Sequence, residues 1–199
     1  MAPLTRGLVL LDSAVSYALA GARLVTPPLL ARPTPCRGWD LEMLLRHVSD
    51  SLEALNEAMA TGHVNDGHEQ GLGGTDGDAV SVLRQRAATL LGTCSAAGTG
   101  EQRVTIGERE LTRSKVAVAG AIEVTIHGWD IRAACGAFRP VPPLLACVLL
   151  PVAQLLITPG ARPGLFADPV QLPGPACPGD QLVAFLGRQP RWMAAPGTA

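Results

Sequence analysis

The sequence contains few charged and few aromatic residues for its length of 199. Charged residues make up 17% and aromatic residues 4%, whereas hydrophobic residues reach 47%. Lys115 is the only lysine, and the formal net charge is −1. Because nucleic-acid-binding surfaces are basic patches, this balance argues against a nucleic-acid partner. The hydrophobic content favours a globular chain with a sizeable core, and we expect a single domain over residues 1–199.

Long apolar runs and targeting signals are also lacking. The longest apolar run, residues 142–157, is broken by Pro151 and Gln154 and is too short for a membrane span. Asp12 interrupts the apolar N-terminal stretch, which continues as an amphipathic helix, so we predict no targeting segment. The GxSxG, Walker and dinucleotide-binding motifs are absent, which removes the commonest nucleophile and nucleotide sites.

The five cysteines are odd in number and include no CxxC pair. This pattern is typical of reduced thiols, and we expect a cytoplasmic protein without a disulfide framework. Cys36 is interpreted as a packed small residue rather than a nucleophile, because no histidine neighbours it in the sequence.

Apolar periodicity predicts an all-α protein with long helices at residues 5–24, 40–60, 78–91 and 112–135. Asp40 is a plausible N-cap for the second helix, and Gly136 a plausible end for the fourth. Residues 62–77, rich in glycine and aspartate, are expected to be a mobile loop, and residues 92–107 a second loop with an extended piece at 103–106. Further helices are expected at 142–157 and 180–186, the latter in a proline-rich C-terminal extension. Four long helices joined by loops indicate a helical bundle.

The helix predicted at 112–135 is apolar nearly all round, which is typical of a helix enclosed by protein. Glu123, His127 and Asp130 nevertheless fall within an arc of roughly 60° on this helix. Buried groups of this kind must be neutralised, paired or bound to a metal. Glutamate and histidine at positions i and i+4 can ligate one ion. The alternative is a buried histidine that simply hydrogen-bonds to Glu123.

A third ligand must come from another helix, and His47 lies at the margin of the apolar stripe of the second helix. The other candidates, His63 and His68, flank the glycine-rich loop and are expected to be solvated. His47, Glu123 and His127 would form a site with zinc as the expected metal and nickel as the alternative. Three protein ligands leave one position of zinc open, which is the catalytic arrangement.

Asp130 and two arginines are further candidates for functional residues near the predicted metal site. Asp130 either accepts the free ring N–H of a ligand histidine or pairs with an arginine such as Arg113 or Arg132. Arg84 and Arg86 lie on the third predicted helix, where either could hold a substrate carboxylate. The alternative for both arginines is a solvated helix face.

Two segments resemble motifs of a known family. Residues 34–47, TPCRGWDLEMLLRH, resemble the TPC-x-x-W-x-x-x-x-L-x-x-H start of the mycothiol-dependent maleylpyruvate isomerase N-terminal domain. That domain belongs to the DinB/YfiT-like superfamily of metal-binding four-helix bundles. Residues 123–136, EVTIHGWDIRAACG, resemble its E-x-x-x-HGWD-x-x-x-A-x-G helix, and the C-terminal tail is similar to that of a single-domain branch. The resemblance places the family's metal ligands at His47, Glu123 and His127.

The resemblance implies a divalent metal, usually zinc, and a thiol cosubstrate such as mycothiol. The implied function is a metal-dependent thiol S-transferase or isomerase for a small electrophilic metabolite, with the metal activating the thiol as thiolate. Asp130 and Arg84 are the candidate catalytic residues. We expect no counterpart of the extra C-terminal domain of maleylpyruvate isomerase, and maleylpyruvate is therefore not the expected substrate. The alternative is a non-catalytic metal-binding or accessory protein, and a homodimer is left open.

Overall fold

The structure is a computed structural model that describes residues 3–64, 78–98 and 100–193. These residues form mainly helices, which confirms the predicted all-α bundle. The helices are α1 (Pro3–Ala22), α2 (Leu41–Thr61), α3 (Ala79–Ala96), α4 (Arg113–Ala134), α5 (Pro143–Leu156) and α6 (Pro178–Phe185), with a short 3-10 turn at Pro27–Leu29.

Most helix boundaries agree with those predicted, because local signals set them. The Asp40 carboxylate accepts the backbone N–H of Met43 at 2.8 Å, as expected of an N-cap. At the C-terminal end of α4, Gly136 adopts a φ of 73° and ends the helix, as predicted. The helix α3 extends five residues beyond its predicted end at residue 91, because Gly92 stays helical in it.

The four long helices pack as a bundle in which α1 lies along α4, and α2 contacts both α3 and α4. Every residue of α4 from 124 to 134 is buried, which confirms that this helix is enclosed. Two glycines allow the close approach of its neighbours. A Cβ at Gly128 would lie 2.9 Å from Cα of Ala18 on α1, and one at Gly120 would meet the side chain of Leu55 on α2. The position of His127 therefore depends on close packing around α4.

A small sheet accompanies the bundle, and the sequence indicated only part of it. The strands β1 (His63–Val64), β2 (Arg103–Ile106) and β3 (Arg109–Thr112) lie in the order β1-β2-β3. β1 is parallel to β2, and β2 is antiparallel to β3 with Ile106 opposite Arg109. The extended piece at 103–106 is confirmed, whereas β3 was not predicted. The charged residues of β3 do not show the apolar alternation that indicates a strand. The strand pairs with β2 through a tight hairpin in which Gly107 adopts a φ of 55°.

The C-terminal half of the chain adds α5 and α6, which pack against each other, and α5 also contacts α4. Of the loop predicted at 62–77, Gly62 ends α2 and β1 follows it. Residues 65–77, including His68, lie outside the described residues. Within the described ranges, no helix combines the length and the apolar character needed to cross a membrane.

Candidate metal centre

The three residues indicated as metal ligands meet in space, and we call His47, Glu123 and His127 the triad. His47 projects from α2, and the other two project from α4. The Nε2 atoms of His47 and His127 lie 3.0 and 3.1 Å from the same oxygen, Oε1 of Glu123. The two imidazole rings are nearly perpendicular, with centroids 4.9 Å apart. The three potential ligand atoms lie within 4.8 Å of one another.

The loop before α2 supports the outer histidine of the triad. The Thr34 hydroxyl accepts the backbone N–H of Cys36 at 3.2 Å and donates to the Trp39 carbonyl at 3.0 Å. This turn fixes Trp39, whose indole meets the His47 ring edge-on at 4.7 Å between centroids. The ring of His47 is therefore oriented by a residue outside its own helix.

Asp130 holds the ring of His127, the more buried histidine of the triad, at the nitrogen that does not face Glu123. Its Oδ2 lies 3.0 Å from Nδ1 of His127, so this nitrogen donates its proton and Nε2 faces Glu123. Asp130 is fully buried, and Arg188 from the segment after α6 pairs with it at 3.2 Å. Both alternatives considered for Asp130 are thus present together, with Arg188 in place of Arg113 or Arg132.

Cys36 belongs to the same hydrogen-bonded cluster. Its sulfur lies 3.3 Å from Oδ2 of Asp130 and 3.4 Å from Nη2 of Arg188. It is also 3.8 Å from Nδ1 of His127. Cys36 therefore contacts polar groups of the site, and its interpretation as a merely packed residue was incomplete.

The electrostatics of the cluster favour a cation between the side chains. Burial would raise the pKa of Glu123, but hydrogen bonds from His127 and His47 and their charges hold it well below its usual range. Burial would likewise raise the pKa of Asp130, but the hydrogen bond to His127 and the charge of Arg188 lower it. Burial would lower the pKa of His127, yet its hydrogen bonds, the one to Asp130 first, raise it well above its ordinary value. In the absence of a metal, a proton on the His127 imidazole supplies positive charge between the two carboxylates.

The donor set of the triad fits a divalent metal. Two imidazole nitrogens and one carboxylate oxygen are the ligands of many catalytic zinc sites. A second set, formed by Cys36, His127 and Asp130, also has its atoms within 4.8 Å. The Arg188 guanidinium, however, lies 3.2 Å from Asp130 and would repel a metal placed there. The triad is therefore the better candidate of the two.

The triad opens into a cavity of about 1020 Å³. The side chains of His47 and Glu123 are 37% and 31% exposed, whereas that of His127 is 8% exposed. A ligand would therefore approach from the side of the first two residues. The cavity is lined by the loop before α2, by α2 and α4, and by two stretches of the C-terminal segment: Pro35, Cys36, Arg37, Trp39, Met43, Arg46, His47, Asp50, Glu123, His127, Gly164–Ala167, Gly187 and Arg188.

The structure does not bring Arg84 to this cavity. Arg84 is exposed on α3 and is absent from the described residues that line the cavity. Arg86 instead pairs with carboxylates of α2, including Asp50 at 2.6 Å. Neither arginine is among the described residues that line the cavity, so neither position supports the expected contact with a substrate. Arg37 and Arg46, like Arg188, line the cavity, and sequence reasoning overlooked them.

Arg188 was also overlooked, for a different reason. It follows Asp130 by 58 residues and belongs to no periodic pattern shared with α4. The sequence around a single arginine in a proline-rich tail does not indicate which residue the arginine contacts. Only the packing of the C-terminal segment against the bundle reveals it.

Comparisons with known proteins show which family this sequence resembles. A family model described as the mycothiol maleylpyruvate isomerase N-terminal domain matches residues 11–132. An uncharacterized protein of Mycobacterium tuberculosis, found in two strains, is 32% identical over 168 residues, covering 81% of this chain and 86% of the relative.

Solved structures agree at the level of the fold. The crystal structure of the mycothiol-dependent maleylpyruvate isomerase matches with a TM-score of 0.60 at 20% identity, covering 83% of this chain and 76% of that one. A mutant of the isomerase gives the same TM-score at 19% identity. With a family model that spans more than half of the sequence, the chain belongs to the mycothiol maleylpyruvate isomerase N-terminal domain family.

Proposed function

We propose that the protein is a metal-dependent enzyme that uses a mycothiol-type thiol to isomerise, or transfer sulfur to, a small electrophilic metabolite. The triad would hold one divalent metal, with zinc as the best fit to its donors. The observation that carries the proposal is the convergence of three ligand atoms on the wall of an open cavity. A purely structural zinc site would have four protein ligands and no cavity beside it.

The roles of the residues follow from their positions. His47 and Glu123 face the cavity, while Asp130 keeps Nε2 of His127 available on the same side. Bound there, a divalent ion would lower the pKa of a thiol ligand so that thiolate forms near neutral pH. The thiolate sulfur would then form a bond to an electrophilic carbon of a conjugated double bond, whose π electron pair would move onto the acceptor group of the substrate. Departure of the same thiol after a bond rotation gives an isomer, and departure of another group gives an S-conjugate.

The cavity is large for a ligand pocket, and part of its lining is cationic. Pockets for one drug-sized ligand measure roughly 300–1,000 Å³, and this cavity reaches about 1020 Å³. Arg37 and Arg46 line it, and Arg46 is held by Glu42 at 2.7 Å. Because guanidinium groups bind carboxylates with two hydrogen bonds, we propose an electrophile that carries a carboxylate.

A comparison of metal-loaded and chelator-treated protein tests the proposed function. Both forms are incubated with mycothiol and a panel of electrophiles, including enones and unsaturated acids with and without a carboxylate. We expect conversion only in the loaded form, with faster conversion of the carboxylate-bearing members. Equal rates in both forms would refute the proposal. Metal binding without conversion of any electrophile would favour the non-catalytic, accessory function.

Matched variants separate the cavity arginines from those on α3. We expect Arg37→Ala to raise KM for carboxylate-bearing electrophiles while leaving neutral ones unaffected. Arg84→Ala removes the same charge from an exposed position outside the cavity lining and should change neither KM nor kcat. Equal effects of the two substitutions would contradict the role given to Arg37.

A further inference from the structure

Arg188 connects the C-terminal segment to the triad through Asp130. Its Nη2 lies 3.2 Å from Oδ2 of Asp130, and its Nε lies 3.5 Å from Oδ1. The guanidinium therefore contacts both oxygens of a carboxylate that has no exposure to solvent. Oδ2 is the same oxygen that accepts Nδ1–H of His127. Fixing the carboxylate at both oxygens fixes the direction of this hydrogen bond.

The backbone before Arg188 is itself rigidly placed. After α6, Gly187 donates to the Ala184 carbonyl and Arg188 donates to the Val183 carbonyl, each at 3.0 Å. This pair of bonds is the Schellman motif, which needs the left-handed conformation that Gly187 adopts with a φ of 82°. A Cβ at Gly187 would lie 2.7 Å from the Ala167 carbonyl oxygen, so only glycine fits. The guanidinium is thus aimed at the site by the end of a helix.

We propose that Arg188 is a positioning residue of the metal centre, which holds the Asp130 carboxylate so that Nε2 of His127 is presented to the metal. The inference rests on the metal site of the proposed function. It extends that site beyond residues 11–132, the span matched by the family model. The C-terminal segment would then complete the site rather than merely cover it.

Removing the Arg188 side chain changes metal affinity in opposite directions for two possible roles. One role is the positioning of Asp130, and the other is electrostatic repulsion of the metal by the guanidinium. A guanidinium near the site repels a metal ion, so loss of its charge alone would tighten metal binding. Loss of the Arg188 side chain removes one donor from each oxygen of Asp130, so the carboxylate is held less firmly and the support of His127 is weakened. Removing an outer support of a metal ligand typically costs about 10–100-fold in affinity. Weaker binding therefore indicates positioning, and tighter binding indicates charge.

Arg162 provides a matched control within the same segment. It is a buried arginine that stacks on Phe185 at 4.9 Å and donates to the Ala167 carbonyl at 2.7 Å. It has no contact with the triad or with Asp130 among the described residues. Arg162→Met should loosen the C-terminal segment without removing the support of Asp130.

The experiment measures zinc dissociation constants of the full chain by competition with a chromophoric chelator. We expect Arg188→Met to raise the constant about 10–100-fold and Arg162→Met to change it less than about threefold. Arg188→Lys keeps the charge and the fold but cannot contact both oxygens, so we expect a rise of at least about threefold. Visible spectra of the cobalt-substituted forms should shift for both Arg188 variants, since those bands report ligand geometry.

A double-mutant cycle with Asp130→Asn tests whether Arg188 acts through that residue. The double variant Arg188→Met/Asp130→Asn should bind zinc about as weakly as the weaker single variant, because the two residues act as one unit. Additive losses, unchanged or tighter binding in Arg188→Met or Arg188→Lys, or an equal loss in Arg162→Met, would overturn the inference. Wild-type protein that binds no zinc would instead refute the proposed function and this inference with it.

Discussion

Replacing Gly128 with alanine perturbs the packing that places His127. The new Cβ would lie 2.9 Å from Cα and 3.1 Å from Cβ of Ala18, and 3.1 Å from Cδ1 of Tyr17. The nearest of these atoms belongs to the backbone of α1, so relief requires the two helices to move apart. Overpacking of this kind costs typically about 1–3 kcal/mol, and the backbone contact favours the upper half of that range.

The higher helix propensity of alanine opposes this cost. A second helical glycine, Gly92, allows the gain from helix propensity to be measured separately. Alanine is favoured over glycine within a helix by about 1 kcal/mol. Gly92 lies in α3, and beyond its own helix backbone no atom of the described residues lies within 4 Å of a new Cβ, so Gly92→Ala should show only this gain. We expect the free energies of unfolding of the two variants to differ by about 2 kcal/mol or more, with Gly128→Ala the less stable.

Urea denaturation in the presence of a chelator measures this difference without a contribution from bound metal. In thermal denaturation, 1 kcal/mol corresponds to about 2–4 °C for a chain of this size. The melting temperatures of the two variants should therefore differ by roughly 4–8 °C. Gly120→Ala should fall between the two variants, because the obstructing atoms belong to the flexible Leu55 side chain. A Gly128→Ala protein as stable as Gly92→Ala would refute the argument that α1 and α4 are in closest contact here.

Further predictions concern pH, capping and the metal. Because the pKa of His127 is raised in the metal-free protein, a metal must displace its proton, and zinc affinity should rise with pH by about tenfold per unit per proton up to that pKa. The same raised pKa stabilises the metal-free fold below about pH 6.5, and this contribution is lost as pH rises through the pKa of the folded state. Zinc should therefore raise the melting temperature more at pH 8 than at pH 6, and calorimetry at both values checks the sign. Asp40→Ala should cost about 1 kcal/mol in urea denaturation, whereas Asp40→Asn, which keeps the cap on α2, should cost much less. At a free zinc concentration about 100 times the wild-type dissociation constant, zinc should stabilise the wild type against unfolding by about 2.7 kcal/mol. The same zinc concentration should stabilise Glu123→Gln by clearly less.

The features that the sequence predicted are those set by neighbouring residues. Asp40 caps α2 because its carboxylate reaches a backbone N–H three residues ahead. Glu123 and His127 lie side by side because helix geometry places positions i and i+4 on one face. The apolar surroundings of α4 required partners for these groups, which led to His47 as the third member.

The features that the sequence did not predict depend on contacts between distant segments. Arg188 reaches Asp130 only because the C-terminal segment folds back across the bundle. Arg84 was a candidate for the site through its place on α3, but the orientation of that helix leaves it exposed. Helix periodicity predicts which face is buried and does not predict which neighbour covers it.

The zinc content of purified protein, measured by elemental analysis after dialysis, tests the central claim most directly. We expect about one zinc per chain in the wild type, as three converging ligands predict. His47→Ala and His127→Ala should lose most of it, whereas His63→Ala, which removes an exposed histidine outside the cavity lining, should retain it. Full zinc content in both triad variants, or no divalent metal bound by the wild type, would contradict the account.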